Sequence, residues 1–178
     1  MTGKTKPRSA AGRSAADRSA AIRSAAVRST LAADIVLIDQ HMSRYTYMVD
    51  SRRYEDWAKL FTPDAVFDQA WQDENGDLHP VNNGAGLHLV GRKEIAAFIR
   101  RRFGPAAKHN LPRPVAGIGH RLVNRLIDVD GDTASLHARG PNGNFQYQVS
   151  LRRTASGPDG GWKFTRVFII FDADRKTP

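Results

Sequence analysis

The chain has 178 residues, a formal net charge of +9, 40% hydrophobic residues and no cysteine. Such a length fits one domain with a tail rather than two sizeable cores, and the lack of cysteine excludes disulfides, thiolate metal sites and cysteine nucleophiles. No run approaches the roughly eighteen apolar residues of a membrane span, and the cysteine-free composition fits a cytoplasmic location.

The charge is unevenly spread. Residues 1–30 hold Lys4, Lys6, Arg8, Arg13, Arg18, Arg23 and Arg28 against Asp17 alone, a net +6 that leaves +3 of the total +9 for the remainder. Within this stretch residues 8–29 repeat Arg-Ser-Ala-Ala, with Gly12, Asp17, Ile22 or Val27 as the fifth residue. A five-residue step turns a helix by about 140° net, so the arginines spiral instead of lining a face. With few large apolar groups to offset ordering entropy, a disordered or transiently helical extension is expected over 1–29. Its composition is also that of organelle transit peptides, although it has no continuous apolar secretory core. The functional alternative to a solvated tail is weak electrostatic contact with nucleic acid or another polyanion. The absence of interleaved aromatics weakens a single-strand-binding reading.

The ordered domain is expected over 30–174, with 175–178 as a short C-terminal tail. Leu31, Ile35, Ile38, Met42, Tyr45 and Val49 fall at spacings of four and three, which predicts one buried stripe on a helix from about 30 to 50. Arg52 and Arg53 mark its C-terminal end. Tyr54, Trp57, Ala58 and Phe61 predict a second, shorter helix stopped by Pro63. Ala65 to Trp71 alternates as a strand, 72–86 reads as a loop, and Leu87 to Val90 as a short strand. Ile95, Phe98, Ile99 and Phe103 predict a third helix closed by Gly104-Pro105, with 105–119 a connector or lid. Strands are then expected over 119–129, 132–139, 144–153 and 161–171, separated by Asp130-Gly131, Pro141-Asn142-Gly143 and the glycine-rich 157–161. Phe145, Tyr147, Val149 and Leu151 share one face, as do Trp162, Phe164, Phe168 and Ile170. The order predicts an α+β domain, its helices on one face of a curved, mostly antiparallel sheet.

The order and several local strings resemble the SnoaL-like branch of the nuclear transport factor 2-like superfamily, which includes scytalone dehydratase, ketosteroid isomerase, bile acid 7α-dehydratase and polyketide cyclases. The strings are Arg44-Tyr45 with Val49-Asp50, Trp57, Leu60 to Val66, Gly91-Arg92-Lys93-Glu94-Ile95, and His120 with Asn124. Asp130-Gly131-Asp132-Thr133-Ala134, Tyr147 and Gly161-Trp162-Lys163 complete them. The resemblance spans roughly residues 30–172. It implies a cone, in which a strongly curved sheet wraps around about three helices and encloses a deep apolar pocket. It also implies a homodimer or higher homo-oligomer.

In family dehydratases a helix tyrosine, an aspartate five residues later and a sheet histidine meet in the pocket. The matching positions are Tyr45, Asp50 and His120. On its own chemistry, Asp50 ends a helix where the dipole disfavours a carboxylate, and burial there would favour the proton-accepting role; the plain alternative is a turn carboxylate paired with Arg52 or Arg53. Tyr45 lies on the buried stripe, either as a core aromatic or as a hydroxyl facing the cavity. His120 alternates with Leu122, Asn124 and Leu126 on one strand face, where a core histidine competes with a catalytic one, and Asn124 would orient it.

Tyr54, Trp57, Phe67, Asn124, His137, Tyr147 and Phe168 are expected to line the pocket, with Leu136 competing against His137 for the inner face. The remaining histidines, His41, His79, His88 and His109, show no His-x-x-x-His spacing, so no metal site is expected. No phosphate-cradling glycine loop or Gly-x-Ser-x-Gly elbow occurs, so neither a cofactor nor a serine nucleophile is expected. The implied function is cofactor-independent acid–base chemistry, a dehydration or isomerisation, on a small apolar oxygenated molecule of polyketide, steroid or terpenoid type. The alternatives are a non-catalytic ligand-binding or assembly domain with Asp50 and His120 in internal ion pairs, and the small subunit of a ring-hydroxylating dioxygenase.

Overall fold

The computed structural model describes residues 15–81, 87–103, 120–141, 143–154 and 161–172, with the side chains of 15–18, 20–29 and 103 excepted. The expected connector over 105–119 lies outside them. By internal contacts the chain falls into two units, residues 1–33 and 34–178. In the first, the backbone is helical from Ala15, well before the expected start near residue 30. Each repeat supplies two alanines, the residue with the highest helix propensity.

Helix α1 is Ala15–Asp50, and its part within the second unit carries the buried stripe. That stripe differs from the expected one at its start. Leu31 and Ile35 are exposed, whereas Asp34 is buried, followed by Ile38, His41, Met42, Tyr45 and Val49. Asp34 takes the inner position because Trp162 and Arg153 supply the partners a buried carboxylate needs. The indole Nε1–H donates to its Oδ1 at 3.3 Å, and Arg153 approaches its Oδ2 at 2.7 Å. After Asp50 the chain reverses through a Schellman turn. Arg53 N–H donates to the Met48 carbonyl and Arg52 N–H to that of Val49, with Arg52 left-handed at φ 60°.

The second helix, α2, is only Tyr54–Ala58. Phe61, expected on it, begins strand β1, Phe61–Gln72. Pro63 therefore stands inside a strand. It falls where the ladder between Phe61 and Val66 is irregular, so its missing N–H interrupts no regular pairing. Strand β2, Leu78–Pro80, occupies part of the expected loop, and β3, Leu87–Val90, forms as predicted. Helix α3, Arg92–Phe103, and strands β4, Val123–Asp130, β5, Thr133–Arg139, β6, Phe145–Arg153, and β7, Trp162–Asp172, follow in the expected order.

The seven strands form one open sheet in the order β2-β1-β7-β6-β5-β4, with β3 also paired to β1. Every pairing is antiparallel except β1 with β7. Two irregularities reset the side-chain alternation. In β4, Asn124 and Arg125 together oppose Ala138, and Asn124 is left-handed at φ 51°. Leu126 is thereby turned outward, 61% exposed, while Arg125 turns in to Asp39 Oδ1 at 2.6 Å and Ser43 Oγ at 2.9 Å. The expected face of His120, Leu122, Asn124 and Leu126 is broken there, and His120 itself precedes the strand. In β7 the register slips at Thr165, so Trp162 and Phe164 are followed on the buried face by Val167 and Ile169, not by Phe168.

The core between helices and sheet is strongly aromatic. Tyr45 packs against Trp57, Phe61, Tyr147 and Phe164 with ring centroids 5.4 to 6.2 Å apart. Such offset and edge contacts add to the apolar burial of the rings. No described helix is long and apolar enough to cross a membrane.

Candidate functional site

A cavity of about 270 Å³ opens between α1, α3 and the inner face of β1, β6 and β7. Its apolar wall includes Val49, Phe67, Phe98, Ile99, Phe145, Ile169 and Phe171; its polar groups come from Tyr45, Gln69, Arg102, His120 and Tyr147. Small-ligand sites have this composition, apolar walls with a few placed polar groups.

The structure brings Tyr45, Asp50 and His120 together, in an order the sequence did not disclose. Asp50 receives two hydrogen bonds from His120: the backbone N–H reaches Oδ2 at 2.9 Å, and ring Nδ1 lies 2.5 Å from Oδ1. This chelate fixes the ring, and a carboxylate acceptor puts the proton on Nδ1. His120 lines the cavity, whereas Asp50 is not among the lining residues. Nε2 has no hydrogen-bond partner among the described residues, so it is the ring nitrogen left for a ligand.

The Tyr45 and Tyr147 rings meet edge-on at the cavity wall, their centroids 5.9 Å apart. Burial pushes the Tyr45 hydroxyl well above the ordinary tyrosine range, with Tyr147 adding to the effect. Burial likewise raises Tyr147, reinforced by the negative charge of Asp50. Both hydroxyls therefore stay protonated donors near neutral pH.

Of the seven expected pocket residues, Phe67 and Tyr147 line the cavity. Trp57 is fully buried behind them, 5.4 Å from the Tyr45 ring and 6.3 Å from that of Phe67. Tyr54 is buried in the same core. Asn124 is exposed at the β4 irregularity, and His137 is exposed because Leu136 takes the buried face. Phe168 points away from Ile169 and Phe171, its ring 5.4 Å from the Arg166 guanidinium.

Two of the lining residues that sequence reasoning missed had partial signals. Phe145 shares the alternation of Tyr147, and Arg102 continues the stripe of Ile95, Phe98 and Ile99 by one turn. Ile169 and Phe171 had none, because the slip at Thr165 decides which face they take. Among the described residues no group of three His, Asp or Glu is placed to hold a metal.

A SnoaL-like domain model matches residues 30–167. The chain belongs to the SnoaL-like domain family. Solved structures similar to this SnoaL-like chain agree with its fold. An NTF2-like protein with a cystatin-like fold from Novosphingobium aromaticivorans is 23% identical, with a TM-score of 0.56 over 82% of this chain and 86% of that one. A protein from the same organism proposed to be a scytalone dehydratase is 19% identical, with a TM-score of 0.52 over 80% of this chain and 86% of that one. The β subunit of a proposed aromatic-ring-hydroxylating dioxygenase, again from that organism, is 20% identical, with a TM-score of 0.52 over 80% and 91%. At these identities the likeness concerns the fold alone. No curated protein matches the sequence.

Proposed function

We propose that the cavity binds a small apolar oxygenated molecule, of polyketide, steroid or terpenoid type, and carries out cofactor-independent dehydration or isomerisation on it. The observation that carries this reading is the Asp50–His120 chelate behind the cavity wall, with the histidine facing in. His120 Nε2 takes a proton from a carbon beside the ligand's carbonyl, and the electron pair moves onto the carbonyl oxygen. The hydroxyls of Tyr45 and Tyr147 supply the donors for that developing charge. His120 then returns the proton, to a departing β-hydroxyl that leaves as water or to another carbon. Asp50, occupied by two donors from His120, is a positioning residue that stabilises the imidazolium; it does not itself share the proton transfer.

A second reading has an observation of its own. An internal Asp50–His120 ion pair is also what a non-catalytic binding pocket would hold. Incubating the protein with 3-hydroxy-1-tetralone in D2O separates the two, because NMR follows α-proton exchange and the loss of water to 1-naphthol in one sample. The enzyme reading expects both processes to be accelerated, with His120→Gln reducing them by roughly 10² to 10⁴. Equal rates for wild type and His120→Gln would refute the proton-transfer role. A bound probe that neither exchanges nor dehydrates favours the binding domain.

A further inference from the structure

We infer that the ligand of this cavity is an anion, carrying a carboxylate or an equivalent acidic group that Arg102 receives; this rests on the reading of the cavity as a ligand site. Arg102 stands seven residues after Ile95, and positions i, i+3, i+4 and i+7 of a helix share one face. Ile95 and Ile99 on that face are buried, and Phe98, Ile99 and Arg102 all line the cavity. The inward stripe of α3 thus ends in a cation at the cavity mouth, where a fourth apolar residue would continue the wall.

Its neighbours have other employment. Arg100 is held by Glu55, with Nε to Oε1 at 2.6 Å and an Nη to Oε2 at 2.8 Å, and Arg101 does not line the cavity. Arg102 has no acidic partner among the described residues, and residues 104–119, which follow the helix in sequence, contain no Asp or Glu. No carboxylate lines the cavity either. Among the lining side chains the one fixed charge is that of Arg102, and the histidine, glutamine and two protonated tyrosines beside it can donate, a set complementary to an anion. Gln69, whose amide has no hydrogen-bond partner among the described residues, supplies a second uncharged contact beside the apolar wall.

The bland account is an arginine placed for the negative end of the α3 dipole. That account fits Arg100, Arg101 and Arg102 equally, yet only Arg102 lines the cavity. The two accounts separate with a matched pair of bicyclic probes, 2-naphthoate and 2-acetylnaphthalene, titrated into wild type, Arg102→Gln and Arg101→Gln. Arg102 is exposed at the cavity mouth, so wild type is expected to bind the carboxylate roughly fivefold more tightly than the ketone, the scale of one charge-assisted contact in water. Arg102→Gln should erase that preference while holding the ketone within about twofold, and Arg101→Gln should retain it. Retained ketone binding also shows that the variant is folded. A wild type without preference for the carboxylate, or an Arg102→Gln that keeps the preference, overturns the inference and leaves the ligand-site reading standing. Failure of wild type to bind either probe overturns both.

Discussion

Replacing His41 by glutamine should remove a specific acid weakness of this domain. His41 lies on the inner stripe of α1, fully buried, with Nε2 3.1 Å from the Leu60 carbonyl and its ring 4.5 Å from that of Phe164. Since a carbonyl only accepts, Nε2 carries the proton of a neutral ring. Burial pushes the pKa from 6.5 down to about 4, against the opposing effect of that hydrogen bond. An unfolded chain therefore takes up a proton near pH 6.5 that the folded one refuses until about pH 4. Stability from this group is intact above pH 6.5 and declines as pH falls toward 4, where the loss levels off. Linkage over that interval gives about 2 kcal/mol lost between pH 7.5 and 5.0, and about 3 kcal/mol in full. Asp56 and Asp73, whose pKa values are lowered from 3.8 chiefly by hydrogen bonds to Arg53 and His79 respectively, lose their contribution only at lower pH and so fall outside this window. Glutamine keeps an N–H for Leu60 but cannot titrate. Urea unfolding of both proteins at pH 7.5 and 5.0 should show His41→Gln less stable at the higher pH, with the gap narrowing by about 2 kcal/mol at the lower. The other histidines are common to both proteins and cancel. A gap that stays constant with pH would refute the reasoning.

Three further substitutions test the local structure. Gly161→Ala should cost more than about 2 kcal/mol, because the new Cβ would lie 2.1 Å from the Thr154 carbonyl oxygen at a left-handed φ of 79°; a thermal midpoint close to wild type would show that hairpin to be placed wrongly. Arg52→Gly should stabilise by roughly 0.5 kcal/mol, since relief of the left-handed conformation outweighs the extra freedom of the unfolded chain. Denaturant unfolding that shows a net loss would contradict the turn geometry at φ 60°. Asp34→Ala should cost about 2 kcal/mol, less than the cost of breaking a fully buried pair because Arg153 is part-exposed and keeps Asp132 at 3.1 Å. Near-neutral stability in that variant would mean that Asp34 is not the acceptor for Trp162 and Arg153.

Much of the architecture is legible because its signals are local. Asp130-Gly131 announces a hairpin, whose two loop residues are Gly131 and Asp132, the alternation from Phe145 to Leu151 declares an inner face, and the stripe from Ile38 to Val49 declares a helix side. The failures share a different origin, a long-range partner or an extra residue in a ladder. Asp34 looks like a surface residue until Trp162 and Arg153 arrive from the far end of the chain. Phe61 looks helical by spacing but pairs with Phe164 in the sheet. One additional residue at Asn124 and one at Thr165 invert everything downstream on their strands, which moved Leu126 and Phe168 outward and brought Arg125 and Ile169 in. Asparagine tolerates the left-handed conformation, so Asn124 carried a faint signal; Thr165 carried none.

The same distinction applies to the candidate site. Spacing brings Tyr45 and Asp50 near one end of α1, but it cannot say which group faces the cavity. The helix ends at Asp50, where the carbonyl end of the dipole opposes a carboxylate by several tenths of a kcal/mol. Two donors from one residue, the N–H and the Nδ1–H of His120, offset that cost with charge-assisted hydrogen bonds. An aspartate at an unfavourable helix end is thus accounted for by the histidine it holds, and in the function proposed above the proton-transferring group is His120 rather than Asp50. The carboxylate's charge is still felt inside, since it raises Tyr147 and helps keep that hydroxyl a donor. Asp50→Asn should therefore weaken turnover through misplacement of His120 rather than loss of a base, leaving ligand affinity close to wild type.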